Sequence, residues 1–428
     1  MILDVVYLLA AVIALPWVAW RKLSGARPVA APWTRLTGAI APLPRTTARR
    51  IWMHGVSVGE VQLLAALAAE IRRQAEAEGR AVECVISSST TTGLEVAAKR
   101  FGADNTFPCP LDFTWAVGRA LDRVRPDMLV LGELELWPNL LSRTHARGIP
   151  IVVANARMSE RSFRGYGRIA PLVRRMLGRT SLVMARSEAD AGRFRSLGAA
   201  DVVVAGSMKF DGVSGDRADP NVARLRRLAG IPDDAIVFLA GSTQSPEEQL
   251  AIDAFRAVAA AHPRLRLAIV PRHVERTSEI AALLDASGLR WQRRSRLELD
   301  GCDADARILL VDTTGELGWW WGTAAIAFVG GSLDGKRGGQ NMLEPAAYGA
   351  AVCFGPHTRN FNDEVRVLLD AGAAEVVSSG ADITAFVRRC LAEPAFAADR
   401  GRRAAAAVAS HRGATAATAR MILARLAS

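Results

Sequence analysis

The sequence predicts an α/β protein of two doubly wound, parallel-sheet domains that face each other across a cleft. Three observations favour this fold class. At 428 residues the chain is too long for one ordinary hydrophobic core. Each half alternates short, almost wholly apolar runs with helical stretches, as parallel strands covered by helices on both faces require. Between the halves, residues 211–220 are polar and rich in Gly and Asp, which is typical of a linker.

The first segment predicts a membrane anchor within residues 1–29. Residues 5–20 carry no charge, and Arg21 and Lys22 follow at once. As a helix this run would reach about 24 Å, short of the roughly 30 Å hydrocarbon core, so the anchor either spans the membrane or inserts shallowly. The positive flank on its C-terminal side places the remaining chain in the cytoplasm. A buried first helix of the globular domain is the alternative.

Eleven short runs are predicted to be strands, six in a first domain of residues 30–212 and five in a second of residues 213–428. The runs of the first domain are 50–53, 83–89, 128–136, 150–156, 181–187 and 201–207. The runs of the second are 235–242, 266–271, 307–312, 325–332 and 351–355. Helices are predicted between them, among them 61–77 and 247–261. The C-terminal helices of the second domain can cross back to the first.

The composition favours small anionic partners in a reducing compartment. The net charge is +11, and the 54 basic residues include only four lysines. They are scattered and carry no interleaved aromatic pattern, which argues against nucleic acid as a partner. The five cysteines are far apart and form no CxxC pair, so neither a disulfide framework nor a zinc site is predicted.

The first candidate site follows the first strand, in HGVSVGE (54–60), where Glu60 opens a helix. A carboxylate aimed into a cleft can take a proton from a hydroxyl group, which makes Glu60 a candidate general base. A helix N-terminal cap is the alternative role. The helix dipole would lower the pKa of Glu60 and weaken it as a base, unless burial or nearby acidic groups oppose that effect.

Three further strand ends of the first domain carry charged side chains. Glu133 and Glu135 are predicted to point the same way off one strand, and they can hold sugar hydroxyls, orient a cation or form an ion pair with an arginine. The cluster in 155–166 suits an anionic acceptor, although a solvated helix start capped by Ser159 explains it equally well. Lys209 follows the last strand and can hold a phosphate or a carboxylate.

The second domain supplies strand-end loops suited to a nucleotide. Arg272 can bind a phosphate through two hydrogen bonds, with His273 as a second donor. The glycine-rich segment 328–349 is predicted to hold a phosphate with its backbone N–H groups and with the start of the following helix. Glu344, one turn into that helix, can accept from both hydroxyls of a ribose.

Taken together, the motifs resemble those of the 3-deoxy-D-manno-octulosonic acid (Kdo) transferase family of lipopolysaccharide biosynthesis. The resemblance runs over some 300 residues of ordered motifs. They are HGVSVGE (54–60), ELELWPNL (133–140), NARMSERSFRGY (155–166), GSMKFD (206–211), GST (241–243), PRHVER (271–276), DTTGEL (312–317), AFVGGSL (327–333), NMLEPAAYG (341–349) and FGPHTRNF (354–361).

This resemblance implies a GT-B fold and an inverting glycosyltransferase that needs no metal and no cofactor. CMP-Kdo would be the donor and a lipid A precursor the acceptor, at the cytoplasmic face of the inner membrane. Glu60 would be the base, with Glu133, Glu135 and Lys209 as the other active-site residues. The donor would contact Gly241, Ser242, Arg272, His273, Gly315, Glu316, Gly331, Ser332, Asn341 and Glu344.

The chain departs from the family's pattern at three positions. Gln244 and Gln340 stand where the family commonly has His, and Met342 stands where it has Pro. Glutamine keeps hydrogen bonding but carries no charge, which puts phosphate contact at those two sites in doubt. Another GT-B enzyme acting on a UDP-sugar, as a transferase or an epimerase, is the alternative function. A catalytically silent membrane-associated scaffold, which would bind no nucleotide, is a third.

Overall fold

The computed structural model describes residues 3–9 and 31–427. They fall into two compact units. The first takes its described residues from Met1–Gly212 and Arg412–Ser428, and the second is Val213–His411.

The first unit is built on one parallel sheet of seven strands. The strands are β1 (Arg49–His54), β2 (Val82–Ser88), β3 (Thr106–Pro108), β4 (Met128–Gly132), β5 (Ile151–Ala156), β6 (Leu182–Ala185) and β7 (Val202–Val204). Their order is β3-β2-β1-β4-β5-β6-β7, and every neighbouring pair runs parallel. The order reverses between β1 and β4, because β2 and β3 lie on one side of β1 and the later strands lie on the other.

Helices cover both faces of this sheet. They are α1 (described over residues 3–9), α2 (Pro32–Thr37), α3 (Val58–Ala77), α4 (Thr91–Phe101), α5 (Thr114–Val124), α6 (Pro138–His145), α7 (Glu160–Gly167), α8 (Ala170–Leu177), α9 (Glu188–Ser196) and α19 (Ala414–Ala427). Side chains alternate along each strand, so one strand contributes to two cores. Trp52 and Leu129 pack in one cluster, and Ile51 and Met128 in the other.

The C-terminal helix α19 belongs to the core of the first unit. Its buried residues Ala419, Ile422, Leu423 and Leu426 lie in the same cluster as the apolar residues of α3. The Asp211 carboxylate accepts hydrogen bonds from the backbone N–H groups of Gly413 and Thr415, both at 2.6 Å, and so caps the start of this helix.

The second unit repeats the architecture of the first. Its strands are β8 (Ile236–Thr243), β9 (Leu265–Pro271), β10 (Trp291–Arg293), β11 (Ile308–Leu310), β12 (Ile326–Val329), β13 (Ala351–Phe354) and β14 (Ala374–Val376). They form a parallel sheet in the order β10-β11-β9-β8-β12-β13-β14. The strand order reverses between β8 and β12.

The helices of the second unit connect and cover these strands. They are α10 (Pro220–Leu228), α11 (Glu247–Ala259), α12 (Thr277–Ser287), α13 (Leu297–Asp300), α14 (Leu317–Trp320), α15 (Leu343–Ala347), α16 (Asn362–Asp370), α17 (Gly380–Ala392) and α18 (Pro394–Ser410). Their apolar faces pack on both sides of the sheet, with Phe238, Phe255 and Phe328 fully buried.

The predicted fold class of parallel, doubly wound α/β units is confirmed, and all eleven predicted strands are present. Among the described residues, no helix is both long and apolar enough to span a bilayer. Apart from residues 3–9, the predicted anchor of residues 1–29 lies outside the described residues.

Candidate active site

The candidate site of the first unit lies at the carboxyl ends of β1 and β4. These two strands are neighbours, and the strand order of the sheet reverses between them. In open α/β sheets ligands bind at such a point, beyond the carboxyl ends of the strands. Glu60 follows β1, while Glu133 and Glu135 follow β4.

Glu60 both caps its helix and carries a half-buried carboxylate. Ser57 is the N-cap of α3, and its Oγ accepts the backbone N–H of Glu60 at 3.2 Å. The Glu60 carboxylate in turn accepts the Ser57 hydroxyl at 2.8 Å and the Val56 N–H at 2.9 Å. Both roles left open by the sequence are therefore compatible with the structure, and the cap fixes where the carboxylate lies.

The pKa of Glu60 is raised above its ordinary value. Burial is the main cause, because it penalises the charged form, and the negative charge of Glu133 raises the pKa further. The hydrogen bonds from Val56 and Ser57 oppose this rise without cancelling it. The net shift is therefore upward, opposite to the lowering that the sequence analysis expected from the helix terminus.

The segment GVSVG (55–59) also matches the G-x-S-x-G pattern of hydrolase nucleophiles, which sit on a sharp, strained turn. Ser57 does not fit that role. Its backbone is ordinary extended chain, with φ −93° and ψ 161°. Its hydroxyl donates to Glu60 and accepts from the Glu60 N–H, so it serves as a helix cap.

Glu133 and Glu135 do not continue strand β4, although the sequence predicted a strand as far as residue 136. The strand ends at Gly132, and Glu133 adopts the left-handed region with φ +56°. Glu133 Oε1 lies 4.0 Å from Nη1 of Arg186, whose side chain is only 2% exposed. The ion pair that the sequence left open as an alternative is therefore present for Glu133.

Glu135 is held by the aromatic residue two positions further on. The indole N–H of Trp137 donates to Glu135 Oε2 at 2.9 Å. Burial, reinforced by the negative charges of Glu60 and Glu133, raises the pKa of Glu135 to about 7. The carboxylates of Glu60, Glu133 and Glu135 thus gather at one sheet edge.

Arg186 is a site residue that sequence reasoning missed. It directly follows β6, at the same edge of the sheet, and its backbone N–H donates to the carbonyl of Ala156 at 3.1 Å. Its position immediately after a buried strand was the available signal. A buried arginine beside carboxylates partly neutralises them, which lowers the cost of keeping three acids together.

The next strand ends carry Asn155 and Lys209. Asn155 has φ +53° and is buried, and its Oδ1 accepts the Met208 N–H at 3.1 Å. This bond ties the end of β5 to the turn of residues 208–210 that contains Lys209. Ser159 caps α7 by accepting the Ser162 N–H at 3.1 Å. The helix cap that the sequence analysis gave as one of two explanations for residues 155–166 is therefore present.

In the second unit, Glu344 lies beside Trp321 and Asn341. The Trp321 indole N–H and the Asn341 side-chain amide each donate to its carboxylate at 3.0 Å. Burial raises the pKa of Glu344, while Arg272 nearby opposes the rise. Gly241 is required here, because a Cβ on it would lie 2.4 Å from the Trp321 ring.

The other residues predicted to contact the donor differ in exposure and in their partners. Arg272, His273 and Gly315 are exposed, with φ +85° at Gly315, and Ser242 is buried with φ +55°. Glu316 instead accepts two hydrogen bonds from the buried Arg294, at 2.6 and 2.8 Å. The pKa of Glu316 is lowered; burial would raise it, but the bonds from Arg294 and Thr313 outweigh that effect.

The backbone N–H groups of the glycine-rich loop are bonded to an internal carboxylate. Glu247, at the start of α11, accepts from Gly331 at 2.7 Å, Ser332 at 3.1 Å and Leu333 at 3.2 Å. It also accepts the Gln244 N–H at 2.9 Å. The sequence predicted that these amides donate to a phosphate. In the structure they donate instead to Glu247 and so join the loop after β12 to the segment after β8.

The two glutamines that depart from the family's pattern lie close together. A Cβ on Gly331 would be 3.1 Å from Nε2 of Gln244 and 3.3 Å from Nε2 of Gln340. Their amides thus flank the same turn, where histidines would add titratable charge. Gln244 is buried and Gln340 half-buried.

No three His, Cys, Asp or Glu side chains among residues 3–9 and 31–427 are grouped to hold a metal ion. Asp303 and Asp305 are spaced as in a DxD pair, but both form ion pairs with Arg290, at 3.1 and 2.6 Å.

The two doubly wound units, with charged strand-end loops in each, define a GT-B-like protein. A UDP-GlcNAc 2-epimerase from Neisseria meningitidis has this fold, with a TM-score of 0.58 and 14% identity over 88% of this chain and 99% of that chain. A glycosyltransferase from Rickettsia africae has a TM-score of 0.56 and 11% identity, covering 89% of this chain and 98% of that one. At these identities the similarity shows the fold alone.

Sequence comparison identifies the family. The family model for 3-deoxy-D-manno-octulosonic-acid transferase matches residues 32–212. The 3-deoxy-D-manno-octulosonic acid transferase of Haemophilus influenzae is 35% identical over 336 residues, 78% of this chain and 76% of its own. The enzyme of the same name from Bordetella pertussis is 36% identical over 388 residues, 88% of this chain and 87% of its own. The chain belongs to the Kdo transferase family and is a glycosyltransferase.

Proposed function

We propose that this enzyme transfers Kdo from CMP-Kdo to a lipid A precursor in lipopolysaccharide biosynthesis, with inversion and without a metal ion. The observation that carries the proposal is the half-buried Glu60 carboxylate at the carboxyl end of β1, with its raised pKa, in a chain of the Kdo transferase family. A base of this kind is what a sugar hydroxyl needs when it attacks directly.

The proposed reaction is a single displacement. Glu60 takes the proton of an acceptor hydroxyl while that oxygen forms a bond to the anomeric carbon of Kdo. The bond from this carbon to the phosphate oxygen of CMP breaks on the opposite side, and CMP leaves with the electron pair. Attack opposite the leaving group inverts the anomeric centre.

Charged residues of both units have roles in this proposal. Negative charge grows on the departing phosphate, so donors placed in advance lower the barrier most. Arg272 and His273 can supply them, and both side chains are exposed at the end of β9. Lys209 can hold the carboxylate of Kdo, and Glu344 with Asn341 can bind the ribose of the nucleotide.

The proposal includes attachment to the cytoplasmic face of the inner membrane through residues 1–29. The uncharged run of residues 5–20 and its positive flank support it. Within the described part of α1, Val5, Val6, Leu8 and Leu9 are between 46% and 60% exposed. An apolar face of this kind suits a lipid surface.

The test is mass spectrometry of a lipid A precursor incubated with CMP-Kdo and the purified full-length enzyme in detergent. We expect the acceptor to gain one or more Kdo units, with release of CMP, and we expect the same result in the presence of EDTA. A UDP-sugar offered under the same conditions is the matched control. Transfer from the UDP-sugar but not from CMP-Kdo would contradict the proposal, and loss of activity in EDTA would contradict metal independence.

The pH dependence of the reaction is expected to respond to Glu133. Glu60 acts ionised, so activity falls as the pH drops through its raised pKa. Glu133→Gln removes a negative charge that raises this pKa, and the acid limb of the kcat/KM profile is therefore expected to move to lower pH. Glu188→Gln, which removes an exposed carboxylate paired with Arg195 in the same unit, is the control and should leave the profile in place. An acid limb that stays unchanged in Glu133→Gln would exclude this coupling.

A further inference from the structure

Helix α1 is attached to the first unit by one of its faces. The Asp4 carboxylate accepts the backbone N–H and the hydroxyl of Thr114, both at 2.8 Å, and so caps α5. One turn later, the Tyr7 hydroxyl donates to Asp112 Oδ2 at 3.0 Å, and the centroids of the Tyr7 and Phe113 rings lie 5.9 Å apart, with the rings perpendicular. Residues three apart share a helix face, so Asp4 and Tyr7 bind the unit together.

Asp112 also caps the start of α6. The N-cap residue of this helix is Trp137, whose side chain accepts no capping hydrogen bond. Asp112 takes over that role by accepting the Asn139 N–H at 3.0 Å and the Leu140 N–H at 2.8 Å. The Asn139 side-chain amide donates to Asp4 Oδ1 at 3.3 Å and to the Asp112 carbonyl. Helices α1 and α6 are therefore joined through one buried polar cluster.

The start of α6 holds Glu135 in place. Trp137 donates its indole N–H to Glu135 Oε2 at 2.9 Å and its backbone N–H to the Glu135 carbonyl at 3.2 Å. The carboxylate is therefore positioned by the N-cap residue of the helix whose first turn Asp112 caps. Each link between Tyr7 and Glu135 is a hydrogen bond or a directly bonded stretch of chain.

We propose that Asp4 and Tyr7 are positioning residues for sugar transfer, which fix the carboxylate of Glu135 through Asp112 and the start of α6. This inference rests on the proposed function, in which Glu135 stands beside the base Glu60. It gives α1 a second role besides attachment, because contacts made by this helix are relayed to the acidic site. Loss of the link misplaces Glu135 and lowers turnover without affecting the nucleotide site of the second unit.

The test compares Tyr7→Phe and Asp4→Asn with Glu188→Gln, a change at an exposed position of the same unit. Tyr7→Phe keeps the ring against Phe113 and removes only the hydroxyl. We expect both linking variants to lower kcat about 5- to 20-fold in detergent, since small misplacements of active-site groups have effects of this order. The KM for CMP-Kdo should remain at its wild-type value in both linking variants, and Glu188→Gln should keep the wild-type kcat. Wild-type kcat in both linking variants would overturn the proposal.

A double-mutant cycle tests whether Tyr7 acts through Glu135. In a Glu135→Gln background, Tyr7→Phe is expected to lower kcat by less than 2-fold. The same fold-loss in both backgrounds would show that Tyr7 acts elsewhere and would overturn the inference.

Hydrogen exchange tests the link independently of activity. Tyr7→Phe is expected to speed amide exchange over residues 139–140 in the full-length enzyme, whereas Glu188→Gln should not. Unchanged exchange in Tyr7→Phe would overturn the inference. Absence of Kdo transfer by the wild-type chain would instead contradict the proposed function, so the two failures are distinguishable.

Discussion

Glu60→Gln is expected to lower the turnover number for Kdo transfer by at least roughly 10²- to 10⁴-fold, the range that general-base catalysis contributes. Glutamine is nearly isosteric and keeps an oxygen that can accept from Val56 or Ser57, so the start of α3 is largely retained. What is lost is the ionised group that receives the acceptor's proton. CMP-Kdo binding should remain near normal, because the proposed nucleotide contacts lie in the second unit. Steady-state kinetics and calorimetric titration with CMP measure the two quantities.

Asp382→Asn is the matched control for the capping role of Glu60. Ser379 Oγ accepts the Asp382 N–H at 3.2 Å, and Asp382 Oδ2 accepts the Ser378 N–H at 2.9 Å, the same arrangement as at the start of α3. Asp382 is exposed on α17 and is far in sequence from every proposed site residue. This variant should keep full activity. If Glu60→Gln also kept full activity, the assignment of Glu60 as base would be wrong.

Arg294→Met is expected to lower the free energy of unfolding of the second unit by about 3–5 kcal/mol, the usual cost of removing one partner from a buried ion pair. The Arg294 side chain is 5% exposed and that of Glu316 is 13% exposed. The change leaves Glu316 without its two hydrogen bonds from Arg294, with Arg224 at 3.7 Å as the nearest remaining charge. Denaturant unfolding at neutral pH measures the loss.

Arg296→Met is the control, because Arg296 pairs with Asp300 on the surface at 2.8 Å. Exposed pairs contribute little to stability, so this variant should be close to the wild type. The pKa of Glu316 is lowered in the folded state, so its contribution is present above the unfolded value and is lost as the pH falls. The difference between wild type and Arg294→Met should therefore shrink in acid. Equal stability of the two variants at neutral pH would show that the Arg294–Glu316 pair is energetically neutral.

The sequence predicted the central strands well and the edges of the sheets poorly. The three strands that it missed, β3, β10 and β14, each have three residues and lie at the edge of a sheet. Their sequences, TFP, WQR and AEV, are not apolar runs, whereas the equally short β7 (VVV) and β11 (ILL) are wholly apolar and were predicted. The alternation in GELEL (132–136) suggested a longer β4, but the left-handed backbone at Glu133 ends the strand. The pattern of apolar and polar residues does not reveal a change in backbone conformation at a single residue.

Site residues on short motifs were easier to predict than their partners. Glu60 stood out because a carboxylate after a glycine-containing strand end has few roles. Arg186 did not, since an arginine after an apolar run is normally a solvated side chain. The bonds from Gly331 and Ser332 to Glu247 join residues 84 and 85 positions apart, and only the folded chain brings them together.

The return of helix α19 to the first unit makes the second unit an insertion rather than a C-terminal appendage. The chain enters the second unit at Val213 and leaves it at His411, so two tethers hold it. Asp211 lies just before the entry, and Gly413 and Thr415 lie just after the exit. The Asp211 carboxylate accepts hydrogen bonds from the backbone N–H groups of both residues, so these two segments of the chain are adjacent. A first unit produced by ending the chain at residue 212 would lack α19, whose apolar residues pack in the same cluster as those of α3. The natural boundaries for producing the second unit alone are therefore residues 213 and 411.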